Sequence, residues 1–278
     1  MTVPLACVVG WPVKHSRSPV IHRFWLKELG IAGDYVVQPV EPERAQAFFA
    51  DFAESGYVGA NVTVPHKEVA FAAVADMEPA ARSIGAVNTL WLDGRRLHGT
   101  NTDGFGFLAN LDQEAPGWDS APGAAVVLGA GGASRAVLWA LANRGFAPIH
   151  LVNRTEARAE TLARQFGQAI RPAGWHELPS LLAGARLLVN TTSLGMEGQP
   201  PLSVDLSPLP TDALVTDLVY VPLETALLAA ARGRGLTVVD GLGMLLHQAA
   251  PGFERWFGGR PVVTRALRTA VLRSMAAT

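Results

Sequence analysis

The sequence predicts an α/β protein in two domains, the second built on a parallel, doubly wound sheet. Three observations carry this expectation. Short apolar runs alternate with amphipathic stretches along most of the 278 residues, the pattern of strands joined through helices. The length corresponds to roughly two domains. A glycine-rich turn, Gly129-Ala130-Gly131-Gly132, lies between an apolar run and a helical pattern.

Composition narrows the class. Hydrophobic residues make up 49% and charged residues 17% of the chain, so cores can form and disorder is not the dominant state. Lysine plus arginine (23) nearly balance aspartate plus glutamate (24). With no basic excess, nucleic acid is not the expected partner. A single cysteine, Cys7, forms no internal disulfide and fits a reducing compartment. The longest uncharged stretch, Ser120–Ser134, is shorter than the ~18 apolar residues that span a bilayer. Met1–Gly10 lacks the basic start of a signal peptide. The expected location is the cytoplasm, with no membrane partner.

In order along the chain, Leu5–Val9, Tyr35–Val40, Val58–Val62 and Val87–Leu92 read as strands. Val20–Leu29 and Glu43–Glu54 between them carry apolar residues at helical spacing. Ser18-Pro19 reads as a helix start, with a capping hydroxyl followed by a proline whose missing N–H does no harm. Asp93-Gly94 reads as a two-residue hairpin turn. Pro116, Gly117, Pro122 and Gly123 suggest a boundary near Gln113–Gly123. Strands at Ala125–Leu128, Ile149–Val152, Leu187–Asn190, Leu214–Asp217 and Thr237–Val239 follow. Helices are expected at Ala133–Asn143, Glu156–Phe166, Met244–Phe257 and Val262–Met275. Val263, Leu267, Ala270 and Val271 share one face of the last.

Gly129-Ala130-Gly131-Gly132-Ala133-Ser134 has the context of a dinucleotide site. The first glycine makes the turn, the second admits the pyrophosphate, and the following helix offers N–H groups and a positive dipole. The third fingerprint position is Ser134, where glycine or alanine is usual. An NAD site carries an acid about 20 residues further on. Here the strand ends in Asn153-Arg154-Thr155, with Arg158 one helical turn beyond. Guanidinium groups match a 2′-phosphate by charge and by their forked donors, so the expected cofactor is NADP.

Polar segments follow apolar runs in the N-terminal half: His15-Ser16-Arg17-Ser18-Pro19, Asn61-Val62-Thr63-Val64-Pro65-His66-Lys67, Ala86-Val87-Asn88-Thr89 and Gly99-Thr100-Asn101-Thr102-Asp103-Gly104. Together they suit a small polyhydroxylated ligand. No metal-ligand spacing accompanies them.

These segments, with Gly10-x-Pro12, Gly85-Ala86, the glycine loop, Asn153-Arg154-Thr155 and Gly241-x-Gly243-Met244-Leu245-x-His247-Gln248, run in order over nearly the whole chain. They resemble the shikimate dehydrogenase family, NADPH-dependent reductases of 3-dehydroshikimate in aromatic amino-acid biosynthesis. Trp11 departs from the smaller or polar residue expected there. The resemblance implies that Ser16 and Ser18 hold the substrate carboxylate and that Thr63, Asn88 and Gln248 help bind carboxylate and hydroxyls. It implies a tyrosine near the carboxylate at Tyr220, and a catalytic pair, Lys67 and Asp103. Cofactor contacts are implied at Gly129, Ala130, Gly131, Gly132, Ala133, Asn153, Arg154, Thr155, Arg158, Leu218 and Gly241. The implied architecture is an N-terminal α/β substrate domain, 1–105 rejoined by 241–278, and a Rossmann-type doubly wound nucleotide domain, 106–240, with a cleft between them. The family occurs as monomers and homodimers. Dual-specificity quinate/shikimate dehydrogenases share nearly all these motifs, and a non-catalytic NADP-binding sensor could share the fold.

Overall fold

The computed structural model describes residues 3–276. It divides into two compact units: one runs through Thr102 and resumes at Leu246, and the other is Asp103–Leu245.

The first unit holds β1 (Leu5–Gly10), α1 (Ser18–Leu29), β2 (Asp34–Pro39), α2 (Pro42–Ala50), β3 (Gly59–Val62), α3 (Lys67–Ala73), β4 (Asp76–Met77), α4 (Pro79–Ile84), β5 (Thr89–Asp93) and β6 (Arg96–Thr100). Its sheet has the order β2-β1-β3-β5-β6-β4. β1 pairs parallel with β2 and β3, and β5 is antiparallel to both β3 and β6. An apolar run such as Ala6–Val9, buried throughout, suits an interior parallel strand covered on both faces.

The second unit holds α5 (Asp103–Glu114), β7 (Ala124–Leu128), α6 (Gly132–Asn143), β8 (Ile149–Val152), α7 (Glu156–Phe166), β9 (Ile170–Ala173), α8 (Leu178–Leu182), β10 (Ala185–Asn190), β11 (Leu214–Asp217), α9 (Ala226–Gly233) and β12 (Thr237–Val239). Every strand pair in its sheet, order β12-β11-β10-β7-β8-β9, is parallel. The order reverses about β7, the topological switch point at which such sheets bind ligands. α10 (Leu242–Phe257) carries the chain back into the first unit, and α11 (Arg265–Ala276) follows.

Four expectations are corrected. The cap of α1 is Arg17, and Ser18 is its first residue with no side-chain cap bond. The helix expected over Glu43–Glu54 stops at Ala50 and continues as a 3₁₀ turn over 52–54. There the Ser55 hydroxyl donates to the Phe52 carbonyl at 2.6 Å, in competition with a further α-helical turn. The hairpin loop is Gly94-Arg95, because Asp93 pairs with Arg96. Gly94, at φ 59°, takes the first loop position, where a Gly-x hairpin needs a left-handed residue.

The fourth correction concerns the boundary. The proline- and glycine-rich stretch 113–123 joins α5 to β7 inside the second unit. Residues 103–105 and 241–245, expected in the substrate domain, also fall in that unit. α5 belongs there because Phe107 and Leu111 enter a core with Val137 and Leu141 of α6. Gly104 permits this approach, since a Cβ there would lie 2.8 Å from the Trp139 ring.

Candidate active site

In the first unit, polar side chains of α1, β2, β3, β5 and α10 converge on one buried network. Asn61 donates through Nδ2 to the Asn88 carbonyl and to Thr89 Oγ1, each at 3.3 Å. Its Oδ1 accepts from the Tyr35 hydroxyl at 2.7 Å. Asn88 Oδ1 accepts from Thr89 Oγ1 at 2.9 Å and from the Thr102 N–H at 2.8 Å. Asn88 Nδ2 lies 3.5 Å from Gln248 Oε1, and the Thr102 hydroxyl donates to the Gln248 carbonyl at 2.8 Å. The Asn88 amide is thus held in one orientation, with Oδ1 towards Thr89 and Thr102 and Nδ2 towards Gln248.

Ser16 and Ser18 meet at the start of α1. The Ser16 hydroxyl donates to Ser18 Oγ at 3.2 Å, and the Ser18 N–H donates back to Ser16 Oγ at 3.3 Å. Loss of the capping role frees the Ser18 hydroxyl from its own helix. The structure brings Ser16 and Ser18 into one hydrogen-bonded pair and Asn88 and Gln248 into another.

Thr63 leaves β3 with its N–H bonded to the Val9 carbonyl at 2.9 Å, and its methyl lies against Gly10, where a Cβ would be 2.5 Å away. Lys67 opens α3 half-buried. Its carbonyl accepts from the Val87 N–H at 3.1 Å, which ties the lysine backbone beside the Asn88 segment. His66, buried between them, bonds the Val40 carbonyl at 2.6 Å and serves the loop. Asp103 directly follows Thr102 and heads α5, where the helix dipole favours a carboxylate.

In the second unit, a cavity of about 780 Å³ opens at the C-terminal ends of β7, β8 and β10. Gly129, Ala130, Gly131, Asn153, Arg154 and Arg158 line it, together with Trp175 and Thr191–Leu194. Gly129 takes φ 100° with Thr192 packed 2.7 Å from where a Cβ would stand. Gly131 and Gly132 face open space, so nothing obstructs a pyrophosphate at the start of α6. Asn153 shapes the loop: its Oδ1 accepts from the Ala130 N–H at 3.1 Å and its Nδ2 donates to the Thr155 carbonyl at 2.8 Å. Among the described residues, no carboxylate lines the cavity. The donor set therefore fits a dinucleotide with an extra phosphate. Ser134 is accommodated because its buried hydroxyl donates to the Gly131 carbonyl at 2.7 Å. Gly132, Ala133 and Thr155 stand beside the cavity without lining it.

Leu218 and Tyr220 lie on the segment after β11, anchored by Asp217. That buried carboxylate accepts from Asn190 Nδ2 at 2.8 Å, the Val219 N–H at 3.0 Å and the Thr225 hydroxyl at 2.8 Å. Burial raises its pKa above the usual aspartate range, and these donors work in the opposite direction. Gly241 closes against this segment, since a Cβ would come within 2.3 Å of the Leu218 carbonyl oxygen.

Sequence reasoning missed Trp175 and Thr191–Ser193. The latter show the signal that found Asn61–Lys67, a polar run directly after an apolar strand. Trp175 follows β9, a strand hidden by Arg171 and Pro172. β9 is the sheet edge, where proline is tolerated.

Comparison with known proteins gives the family. Residues 8–90 match the family model described as shikimate dehydrogenase substrate binding domain. Residues 114–196 match shikimate / quinate 5-dehydrogenase, and 241–272 match the shikimate 5′-dehydrogenase C-terminal domain. The chain is 60% identical to shikimate dehydrogenase (NADP(+)) of Azorhizobium caulinodans, over 97% of this chain and 96% of that one. It is similar to the crystal structure of shikimate 5-dehydrogenase from Thermus thermophilus in complex with NADP(H) and shikimate. There the TM-score is 0.86 at 38% identity, covering 98% of this chain and 99% of that one. A quinate dehydrogenase from Corynebacterium glutamicum in complex with NAD gives a TM-score of 0.88 at 29% identity, covering 98% and 99%. Matched over almost its full length by a shikimate dehydrogenase at 60% identity, and in fold by solved members, the chain belongs to the shikimate dehydrogenase family.

Proposed function

We infer that this chain is an NADP-dependent shikimate dehydrogenase, an oxidoreductase that interconverts 3-dehydroshikimate and shikimate on the route to chorismate and the aromatic amino acids. The likeness to NADP-dependent shikimate dehydrogenases at 60% identity carries the reading. The local geometry supplies its chemistry.

NADPH, when bound, supplies the hydride for the substrate carbonyl. The chain's residues do the rest. Gly129–Gly131 and the α6 N-terminus receive the pyrophosphate, and Arg154 and Arg158 receive the 2′-phosphate. Ser16 and Ser18 donate to the substrate carboxylate, with Tyr220 as a further contact. Thr63, Asn88 and Gln248 bind carboxylate and hydroxyls. Lys67 holds its ammonium at the carbonyl oxygen, stabilises the charge that develops there and delivers the proton. Asp103 favours the charged lysine and binds the adjacent hydroxyl.

The reading places the enzyme in the cytoplasm. Its one cysteine is a free thiol buried in the core, and burial pushes its pKa up. Among the described residues, no helix is long and apolar enough to cross a membrane.

Following nicotinamide absorbance with shikimate and NADP tests the activity. Turnover is expected with this pair, and much less with quinate or with NAD. Comparable rates on quinate would move the protein to the dual-specificity type. NADP binding without turnover of either acid would make it a sensor.

A further inference from the structure

The cavity of the second unit holds an aromatic ring that has no task in the reading above. Trp175 lines it from the end of β9, where the strand gives way to a 3₁₀ turn over Trp175–Glu177. β9 pairs with β8 in a register that sets Ala173 opposite Val152. Trp175 and Arg154 thus each stand two residues beyond a paired position, on neighbouring segments. The Asn153 N–H, donating to the Ala173 carbonyl at 3.3 Å, ties those segments together.

The turn holds the indole in place. The Gly174 N–H donates to Glu177 Oε1 at 2.8 Å, and the Glu177 N–H donates back to the Gly174 carbonyl at 3.1 Å. Gly174 lets the turn press against the head of α7, since a Cβ there would lie 2.3 Å from Glu156 Oε1. The half-buried ring packs against the core that includes Val152, Ala173 and Leu178. Among the described residues it has no aromatic or cationic partner, and its Nε1 makes no hydrogen bond. Trp25, Trp118 and Trp256, by contrast, each spend the indole N–H on an acceptor within the protein.

Leu194 and Leu202 line the same cavity and join the same core as Trp175. This part of the lining is apolar, whereas Arg154 and Arg158 are charged. NADP carries one group for each, because its adenine and its 2′-phosphate sit on adjacent carbons of one ribose. A phosphate seated on Arg154 therefore brings the base to the segment beside it. Contact between a base and an aromatic side chain is stabilising whatever hydrogen bonds the base makes.

We propose that Trp175 receives the adenine of the cofactor against its ring, so that the cavity recognises base and 2′-phosphate with separate residues. This rests on the assignment of the cavity to NADP.

Both cofactors carry adenine, and only one carries the 2′-phosphate, so kinetics with the two separate the roles. Trp175→Ala should lower kcat/KM for NADP and for NAD by the same factor, about fivefold to 150-fold. KM for shikimate should barely move. Trp175→Phe, which keeps an aromatic face, should recover most of the loss. A loss confined to NADP would make Trp175 a brace for the arginines, and no loss in a folded variant would remove it from the site. Either result overturns the proposal.

A binding measurement without turnover uses adenosine 2′,5′-bisphosphate, which has the base and the phosphate but no nicotinamide. It should quench part of the tryptophan fluorescence of the wild type. That part should vanish in Trp175→Phe, although calorimetry still shows binding. Undiminished quenching in folded Trp175→Phe would overturn the proposal even if Trp175→Ala fails to fold, as judged by a melting curve. A wild type that binds neither this probe nor NADP would overturn the cofactor assignment itself. Binding of both, undisturbed in the Trp175 variants, would overturn the role of Trp175 alone.

Discussion

Lys67 is asked to stabilise one developing charge and to give up one proton. Lys67→Ala should therefore lower kcat by about 10²–10⁴-fold with a much smaller change in KM. Near-normal kcat would remove it from the mechanism. Arg154 has a narrower task, since only NADP offers it a phosphate. Arg154→Ala should lower kcat/KM for NADP by ~10–150-fold and leave that for NAD almost unmoved. Equal losses with both cofactors would make Arg154 a support of the fold. His22, wholly buried, bears on stability. Its folded pKa of about 3 lies below its ordinary 6.5, so between these values the unfolded chain takes up a proton that the folded chain refuses. The stabilisation is complete above pH 6.5 and is lost as pH falls towards 3, at about 1.4 kcal/mol per pH unit. The difference between wild type and His22→Phe in urea stability should shrink with that slope. A difference independent of pH would contradict a neutral His22.

Elements announced themselves in the sequence where one residue pattern sufficed. β8, α7, β11 and β12 lie where apolar run and helical spacing put them. β4, of two residues, and β9, with an arginine and a proline, carry too little pattern to be seen. The candidate site divides in the same way. Ser16, Lys67 and Asn88 stood out only as members of polar segments that follow apolar runs, and the roles proposed for them came from the family resemblance. Tyr35 began an expected strand and His22 lay within a helical stretch, and their hydrogen bonds with Asn61 exist only because β2 and β3 flank β1 and α1 packs against β2. The contact of β3 with α10 offers a test at this scale. Gly59 leaves room for Trp256, whose Nε1 donates to the Leu90 carbonyl at 2.9 Å. A Cβ at Gly59 would stand 2.0 Å from that nitrogen. Gly59→Ala should destabilise the first unit by about 1–3 kcal/mol, read from urea unfolding by tryptophan fluorescence. A shift of less than half a kilocalorie would mean that α10 yields easily.

At the scale of the whole molecule, the chain enters the second unit once, at Asp103, and leaves it once, within α10. The second unit is a contiguous segment with its own parallel sheet. The first is assembled from two pieces far apart in sequence. Its aromatic cluster joins His22 and Trp25 of α1 to Phe253 and Trp256 of α10. The Trp25 Nε1 also donates to the carbonyl of Val262 at 3.0 Å, and α11 packs against α1.

That division sets a schedule for a chain leaving the ribosome. The residues that emerge first must wait for those that emerge last, while the segment between can fold as soon as it is complete. His22, Tyr35 and Asn61 are therefore all made early and stay open until Phe253 and Trp256 arrive to cover the His22 ring. A chain ended after Leu245 should keep a protease-resistant fragment over roughly 103–245 and expose 3–102 to rapid cleavage. Equal resistance of the two segments would show that the early piece closes without its late partner. Protection from misfolding during that wait falls to whatever shields the nascent sheet.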